Sequence, residues 1–397
     1  MSYKISIVYS SILIVAIYLF ISIAKGYTAH VYLSEYEKSL KGVDIERQGH
    51  LLKRSLELCP SNAKTHFELG KRYIDENPID KDSEAGIKSY ARSKEIFQEA
   101  LMLKPTEGRR RAEYAWYIGG NGDMNEAIEQ FNIAINLCPT DTYPRSLYSM
   151  WCINQVKEEV DLTNTDQFVE NYRNRQKQEE TLKSYEDRSI NGVSLAALLG
   201  TSREEWDKVL SFRAPRDRYE YESLGDLDFL KFELDNAIRN YTRARNKFML
   251  ARCYIIKEKY KSAIKILAGI LKGDSKLSEL SLSEIKKLLM DIIKNSPINY
   301  QPFYWLGKLH TRLGESDRAI LNYKLSIHLN PGHIDSRMNM AELYNQIGKI
   351  NLAIKEYQII LEQNPNHKEA TRLLSEAVML EYKDAEFLKK PDTNFTN

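Results

Sequence analysis

The chain has 397 residues, 57 of them Lys or Arg and 55 Asp or Glu, for a formal net charge of +2. A balance that close excludes a whole-surface basic footprint, so no nucleic-acid partner is expected, and the length is ample for a substantial core. Four scattered cysteines (Cys59, Cys138, Cys152 and Cys253) form no C-x-x-C pair, which excludes a small disulfide framework.

The first element is apolar. Ile5 to Ala24 is twenty residues without a charge. At about 1.5 Å per residue this helix spans a hydrocarbon core of roughly 30 Å. The run exceeds the roughly 7–15 apolar residues of a cleavable signal, so residues 1–26 are read as an uncleaved single-pass transmembrane anchor. Ser22 and Ala24 are the small residues that cleavage would use in the alternative reading. Lys4 on one side and Lys25, Lys38 and Lys41 on the other give no clean charge asymmetry. A short basic start before a long apolar run has the form of a secretory signal-anchor, which places the rest of the chain outside the cytoplasm. Residues 27–43 then form a juxtamembrane stalk.

Residues 44–153 read as a first helical array. A helix capped by Asp44 carries Leu51, Leu52, Leu56 and Leu58 and ends at Pro60. Ala63 to Tyr73 opens the next pair, whose second helix is delayed by a loop over Asp75–Gly86 containing Asn77-Pro78. Gly119-Gly120-Asn121-Gly122 is a helix–helix turn, because no strand precedes it and no Lys-Ser/Thr follows. Arg109, Arg110 and Arg111 are a solvated edge. Residues 154–217 lose the pattern and read as an irregular helical connector: Asn164 to Asp187 is charged and exposed, Ser194 to Leu199 is apolar and stops at Gly200, and Ser202 with Glu205 forms a capping box before Trp206. Residues 218–299 carry a worn pattern. Tyr221, Leu224, Gly225, Ala237, Tyr241 and Ala244 fit one unit and Leu250, Ala251, Tyr254, Ala263 and Leu267 another, spaced so closely that one must be shortened.

Residues 300–367 hold two clean copies. The first reads Phe303, Leu306, Gly307, Ala319, Tyr323, Ser326, Pro331; the second reads Arg337, Met340, Ala341, Ala353, Tyr357, Ile360, Pro365. Small residues at the eighth and twentieth positions let two helices approach, an aromatic fills the groove between them, and Pro ends the second helix. In these residues the chain resembles the tetratricopeptide repeat family. The resemblance implies an all-α fold, an α-solenoid of helix–turn–helix repeats, that binds other proteins. Residues 368–390, with Leu373, Leu374, Val378 and Leu380, would cap its end, and 391–397 form a tail.

By the same resemblance, the second, fifth, ninth and twelfth positions of each first helix line the protein-binding groove. The candidates are Phe67 and Lys71; Trp116; Tyr143 and Met150; Tyr304, Lys308 and Thr311; and Met338, Glu342 and Asn345. Phe67 with Lys71, and Tyr304 with Lys308, stand where the chaperone-tail clamp of this family has Lys and Asn, so the sequence departs from that clamp. No H-E-x-x-H, Cys/His cluster or G-x-S-x-G elbow is present, so no catalytic residue, metal or cofactor is expected. The function implied is a membrane-tethered adaptor or scaffold that assembles or positions a cell-envelope complex. The alternatives are an accessory or enzymatic part in envelope polymer processing that uses residues 154–217, and a cleaved soluble binding module.

Overall fold

A computed structural model describes residues 2–40, 45–75, 83–162, 164–175, 188–273 and 277–388, with the side chains of residues 2–14, 45–46, 74–75, 85, 166, 171, 173–175 and 383–388 outside that description. The chain divides into two compact units, one from residues 1–159 and 184–215, the other from residues 160–183 and 216–397.

In the first unit, α1 (Ser2–Ser39) pairs with α2 (Ile45–Leu58), α3 (Ala63–Asp75) with α4 (Glu84–Leu103), and α5 (Gly108–Gly120) with α6 (Met124–Leu137). The next helix, α7 (Thr142–Glu159), is followed in the chain by α8 (Thr165–Arg175), which belongs to the other unit. A short hairpin, β1 (Ser189–Ile190) with β2 (Val193–Ser194), then leads into α9 (Leu195–Phe212), the partner of α7.

Two sequence readings change here. Of the expected stalk over residues 27–43, residues 27–39 are instead part of the second half of α1, where Leu33 and Tyr36 bury against Leu51 and Leu52, and residues 41–43 lie outside the described residues. Ser55 Oγ donates to the Ala29 carbonyl at 2.9 Å. The apolar stripe of α2 therefore has a helix to cover it. Upstream, Val15, Tyr18, Phe20 and Ile23 are exposed. The expected span Ile5–Ala24 is not shown: among the described residues no helix is long and apolar enough to cross a membrane, and residues 5–14 have side chains outside the described set. The predicted cap Asp44, most of the Asp75–Gly86 loop and the tail 391–397 also lie outside the described residues.

The second change concerns α9, which runs unbroken through Gly200 and Ser202. Ser202 is buried inside the helix and not at a cap. Its Oγ lies 2.7 Å from Ser149 Oγ on α7, and Arg145 reaches Glu205 at 2.7 Å. Cross-helix bonds use the very side chains that the capping-box reading assigned to a helix start.

The second unit contains α10 (Arg218–Leu230) paired with α11 (Leu234–Ala244), α12 (Lys247–Ile256) with α13 (Tyr260–Gly273), α14 (Glu279–Asn295), α15 (Tyr300–Arg312) paired with α16 (Ser316–Leu329), α17 (Ile334–Gln346) paired with α18 (Ile350–Gln363), and α19 (Lys368–Leu388) laid on α18. The shortened unit is explained at the end of α11. Arg245 turns left-handed at φ 57°, and Asn246 at once caps α12 by accepting from the Met249 N–H at 3.1 Å. Helix α8 packs on α12 and α14, with Phe168 against Phe229 and Phe232.

The steric logic of the repeat is visible at Gly307. A Cβ there would stand 2.5 Å from the ring of Tyr323, so only glycine lets α15 and α16 close to this distance. Ala319 and Tyr323, and Ala353 and Tyr357 at the same positions of the next repeat, are fully buried. Neighbouring repeats are stitched by hydroxyls at equivalent positions, Ser55 to Thr65 at 3.2 Å and Ser326 to Ser336 at 2.8 Å.

Candidate protein-binding grooves

In the first unit, three successive first helices, α3, α5 and α7, bring Lys71, Glu113, Trp116, Tyr117, Tyr143 and Leu147 around a cavity of about 250 Å³. Glu113 is its hinge: Lys71 Nζ reaches one carboxylate oxygen at 2.9 Å, and the Tyr143 hydroxyl donates to the other at 3.1 Å. Burial works against the Lys71 ammonium, but Glu113 and Glu68 outweigh it and hold its pKa above the ordinary lysine value. Burial, then Glu113, raises the Tyr143 phenol. Lys71 also stands 5.0 Å from the Phe67 ring centroid, and Arg109 5.6 Å from that of Tyr143. The result is a charge-balanced, fixed polar floor beside a half-buried indole.

In the second unit, α13, α15, α16 and α17 surround a cavity of about 330 Å³ that includes Lys272, Trp305, Lys308, Thr311, Arg312 and Asn339. Lys308 Nζ donates to Asn339 Oδ1 at 3.1 Å, Thr311 Oγ1 lies 3.1 Å from the Tyr323 hydroxyl, and Lys272 sits 5.3 Å from the Trp305 ring centroid. Three cations and no carboxylate line this cavity among the described residues. Burial lifts the phenol of the neighbouring Tyr304, half-buried on α15, to about 12.

Residues 335–367 match the family profile described as tetratricopeptide repeat. This chain carries a tetratricopeptide repeat. The profile covers α17, α18 and the turn after them. A curated protein from Pseudomonas putida, described as a probable biofilm formation methyltransferase, WspC, is 29% identical over 85 residues. That stretch is 21% of this chain and 19% of the Pseudomonas protein, so the chain spans about a fifth of that relative's length. Among solved structures, the MamA protein is 22% identical, with a TM-score of 0.23 over 38% of this chain and 94% of its own. The tetratricopeptide domain of P58(IPK) is 12% identical, with a TM-score of 0.26 over 90% of this chain and 99% of its own.

Within the tetratricopeptide pattern, the predicted site residues separate by position. Lys71, Trp116 and Tyr143 meet in the first groove, and Lys308 and Thr311 in the second. Fifth-position residues do not face the groove as expected: Phe67 is buried against Phe97, and Met338 is buried in the core of the last pairs. Tyr304 is half-buried against Trp305 and His333, and half-buried Met150 does not line the first cavity. Glu342 is half-buried, its pKa raised by burial against the pull of Lys308. Asn345 keeps a buried Oδ1 without a partner.

The sequence reading missed the sixth position. Glu113, Leu147, Trp305 and Asn339 all occupy it, and all four line a groove. At about 100° per residue, the second, sixth and ninth positions fall within about 60° of one another on one face. That signal was available in the helical period.

Proposed function

We propose that the chain is an adaptor that holds extended or helical segments of other proteins in two tetratricopeptide-type grooves, and that it carries no reaction of its own. The observation that carries this reading is the first groove, where side chains from three helices are fixed by Glu113 around an accessible indole. Pre-organised polar groups beside an apolar anchor are what a peptide groove needs. The second groove, with Lys272, Lys308 and Arg312 and no lining carboxylate, suits an acidic segment. In this reading α1 also tethers the adaptor to a membrane, supported by the uncharged run Ile5–Ala24 and by the exposed Val15, Tyr18, Phe20 and Ile23, and the repeats lie on the extracytoplasmic side within a cell-envelope complex.

The test is crosslinking and capture from intact membranes with wild-type protein, Trp116→Ala and Lys308→Glu. Capture of a defined partner should fall at least about tenfold for Trp116→Ala, as for a buried aromatic anchor. Recovery that neither change alters would remove the grooves as binding sites. Alkaline extraction of the membranes reads the tether separately: release of the full chain would remove the anchor while leaving the grooves.

A further inference from the structure

A second cavity of the second unit is unlike the grooves. It has a volume of about 510 Å³, is walled by Met290 of α14, Phe303 and Leu306 of α15 and Leu321 of α16, and is rimmed by Lys286, Lys294 and Arg318. Met290 is 54% and Leu321 57% exposed. Phe303, Leu306 and His310 share a face of α15 about 130° away from Tyr304, Lys308 and Thr311, so this cavity is separate from the groove.

Its apolar lining sets this repeat apart from four other helix pairs. At the positions of Phe303 and Asn322, the next repeat has Arg337 and Glu356, an ion pair at 2.9 Å. A repeat of the first unit has Arg111 and Gln130, bonded at 2.6 Å. At the Phe303 position α10 has Tyr221, covered by Arg243 at 5.4 Å, and α3 has His66, paired with Glu99 at 3.3 Å. Polar groups thus seat the outer edge of those helix pairs, whereas Phe303 leaves an open apolar slot.

The complementary surface lies on α19. Val378, Met379 and Tyr382 are 46%, 67% and 74% exposed. Their spacing of three and four residues puts them on one helical stripe. Glu376 and Glu381 flank the stripe and are exposed, Glu376 holding Arg372 at 2.5 Å. Among the described residues, an apolar slot with a basic rim and an apolar stripe with acidic flanks are both left exposed. We propose that the outer slot formed by α14, α15 and α16 is a self-association site, and that it takes the Glu376–Tyr382 stretch of α19 from a second copy. Apolar side chains enter the slot, and the exposed Glu381 carboxylate faces Lys286, while Arg318 keeps its Glu315 partner at 3.1 Å. This contact is independent of the grooves and leaves them open.

The experiment uses two full-length copies of different tagged size in detergent, both with the partly exposed Cys59 and Cys138 changed to Ser, one with Met290→Cys and one with Met379→Cys, treated with a short bis-maleimide. A crosslinked heterodimer is expected only when both cysteines are present. Leu321→Asp in the first copy should abolish it, with an unchanged melting curve showing that this exposed position tolerates the change. Glu381→Lys in the second copy should lower the yield about threefold, the size of one rim charge pair, and Lys286→Glu in the first copy should restore it. No heterodimer, a heterodimer indifferent to all three changes, or a slot occupied by a different acidic protein overturns the proposal.

Discussion

Gly307 and Ala341 differ by one methyl group, and the tyrosines paired with them differ in whether their hydroxyls are bonded. Tyr323 reaches Thr311 at 3.1 Å, while the Tyr357 hydroxyl is buried without a partner, as is Asn345 Oδ1 at the position equivalent to Thr311. Because a Cβ at Gly307 would stand 2.5 Å from the Tyr323 ring, the two rings cannot sit alike over their first helices. A made hydrogen bond contributes about 1 kcal/mol net, whereas a buried orphan hydroxyl costs about 1–3 kcal/mol. Tyr323→Phe should therefore lose about 1 kcal/mol in urea unfolding, and Tyr357→Phe should gain about 1 kcal/mol. Equal losses from both would show that Tyr357 is bonded in solution. Glu342 supplies a pH test on the same helix. Burial raises its pKa, so the folded state favours its protonated form and stability is lost as pH rises through that raised value. Glu342→Gln should melt higher than wild type at pH 7, and the difference should vanish below the ordinary glutamate pKa of about 4.3. His333 titrates in both proteins and cancels. A constant difference across that range would assign the effect to packing.

Helix α8 shows what one position in a turn can do for a whole element. Where Gly122, Gly314 and Gly348 take positive φ between the helices of their repeats, the equivalent residue after α10 is Phe232, at φ 59°. A bulky side chain in that region is strained by about 1–3 kcal/mol. Phe232 is nonetheless buried, with its ring 5.6 Å from that of Phe168 on α8. Phe232→Gly removes the strain and also removes an aromatic contact that costs about 3–5 kcal/mol to delete. The second term wins, so amide exchange across residues 165–175 should speed up while that of α10 changes less; unchanged exchange would mean that α8 docks through Phe229 alone. Nothing in the sequence around Asn164 announced a partner, because Phe168 and Val169 are two apolar residues among charges and their complement lies in a distant turn. The hairpin at residues 189–194 was legible and was missed. Asn191-Gly192 adopts the paired positive φ angles of 49° and 81° that a two-residue turn demands. Spacing of small and aromatic residues, by contrast, revealed α15 to α18 directly, since each helix pair needs that local steric match to close.

For the whole chain, periodicity tells where repeats are regular but not which distant segment completes a unit. Residues 154–217 lack the repeat spacing, and their division between the two units follows from faces that only the folded chain brings together. The buried face of α7 makes the point: Trp151, Cys152 and Val156 are at most 1% exposed, with α9 as the packing partner. Trp206 on α9 is itself fully buried, and a buried tryptophan typically removes 150–250 Å² of surface from water. A chain cut after Glu159 keeps every regular repeat of the first unit yet strips this cover, leaving Ser149 without its Ser202 partner and Arg145 without Glu205. A fragment ending at Pro215 keeps both. If repeat regularity alone set stability, the two fragments would melt together. If α9 completes the unit, the fragment ending at residue 159 should melt well below the longer one and bind an apolar dye, and Trp206→Ala in the longer fragment should reproduce most of the loss, about 3–5 kcal/mol. Thermal denaturation of the three proteins, in detergent to hold the apolar start of α1, decides between them. A fragment ending at residue 159 as stable as the one ending at 215 would reduce α9 to a passive cover.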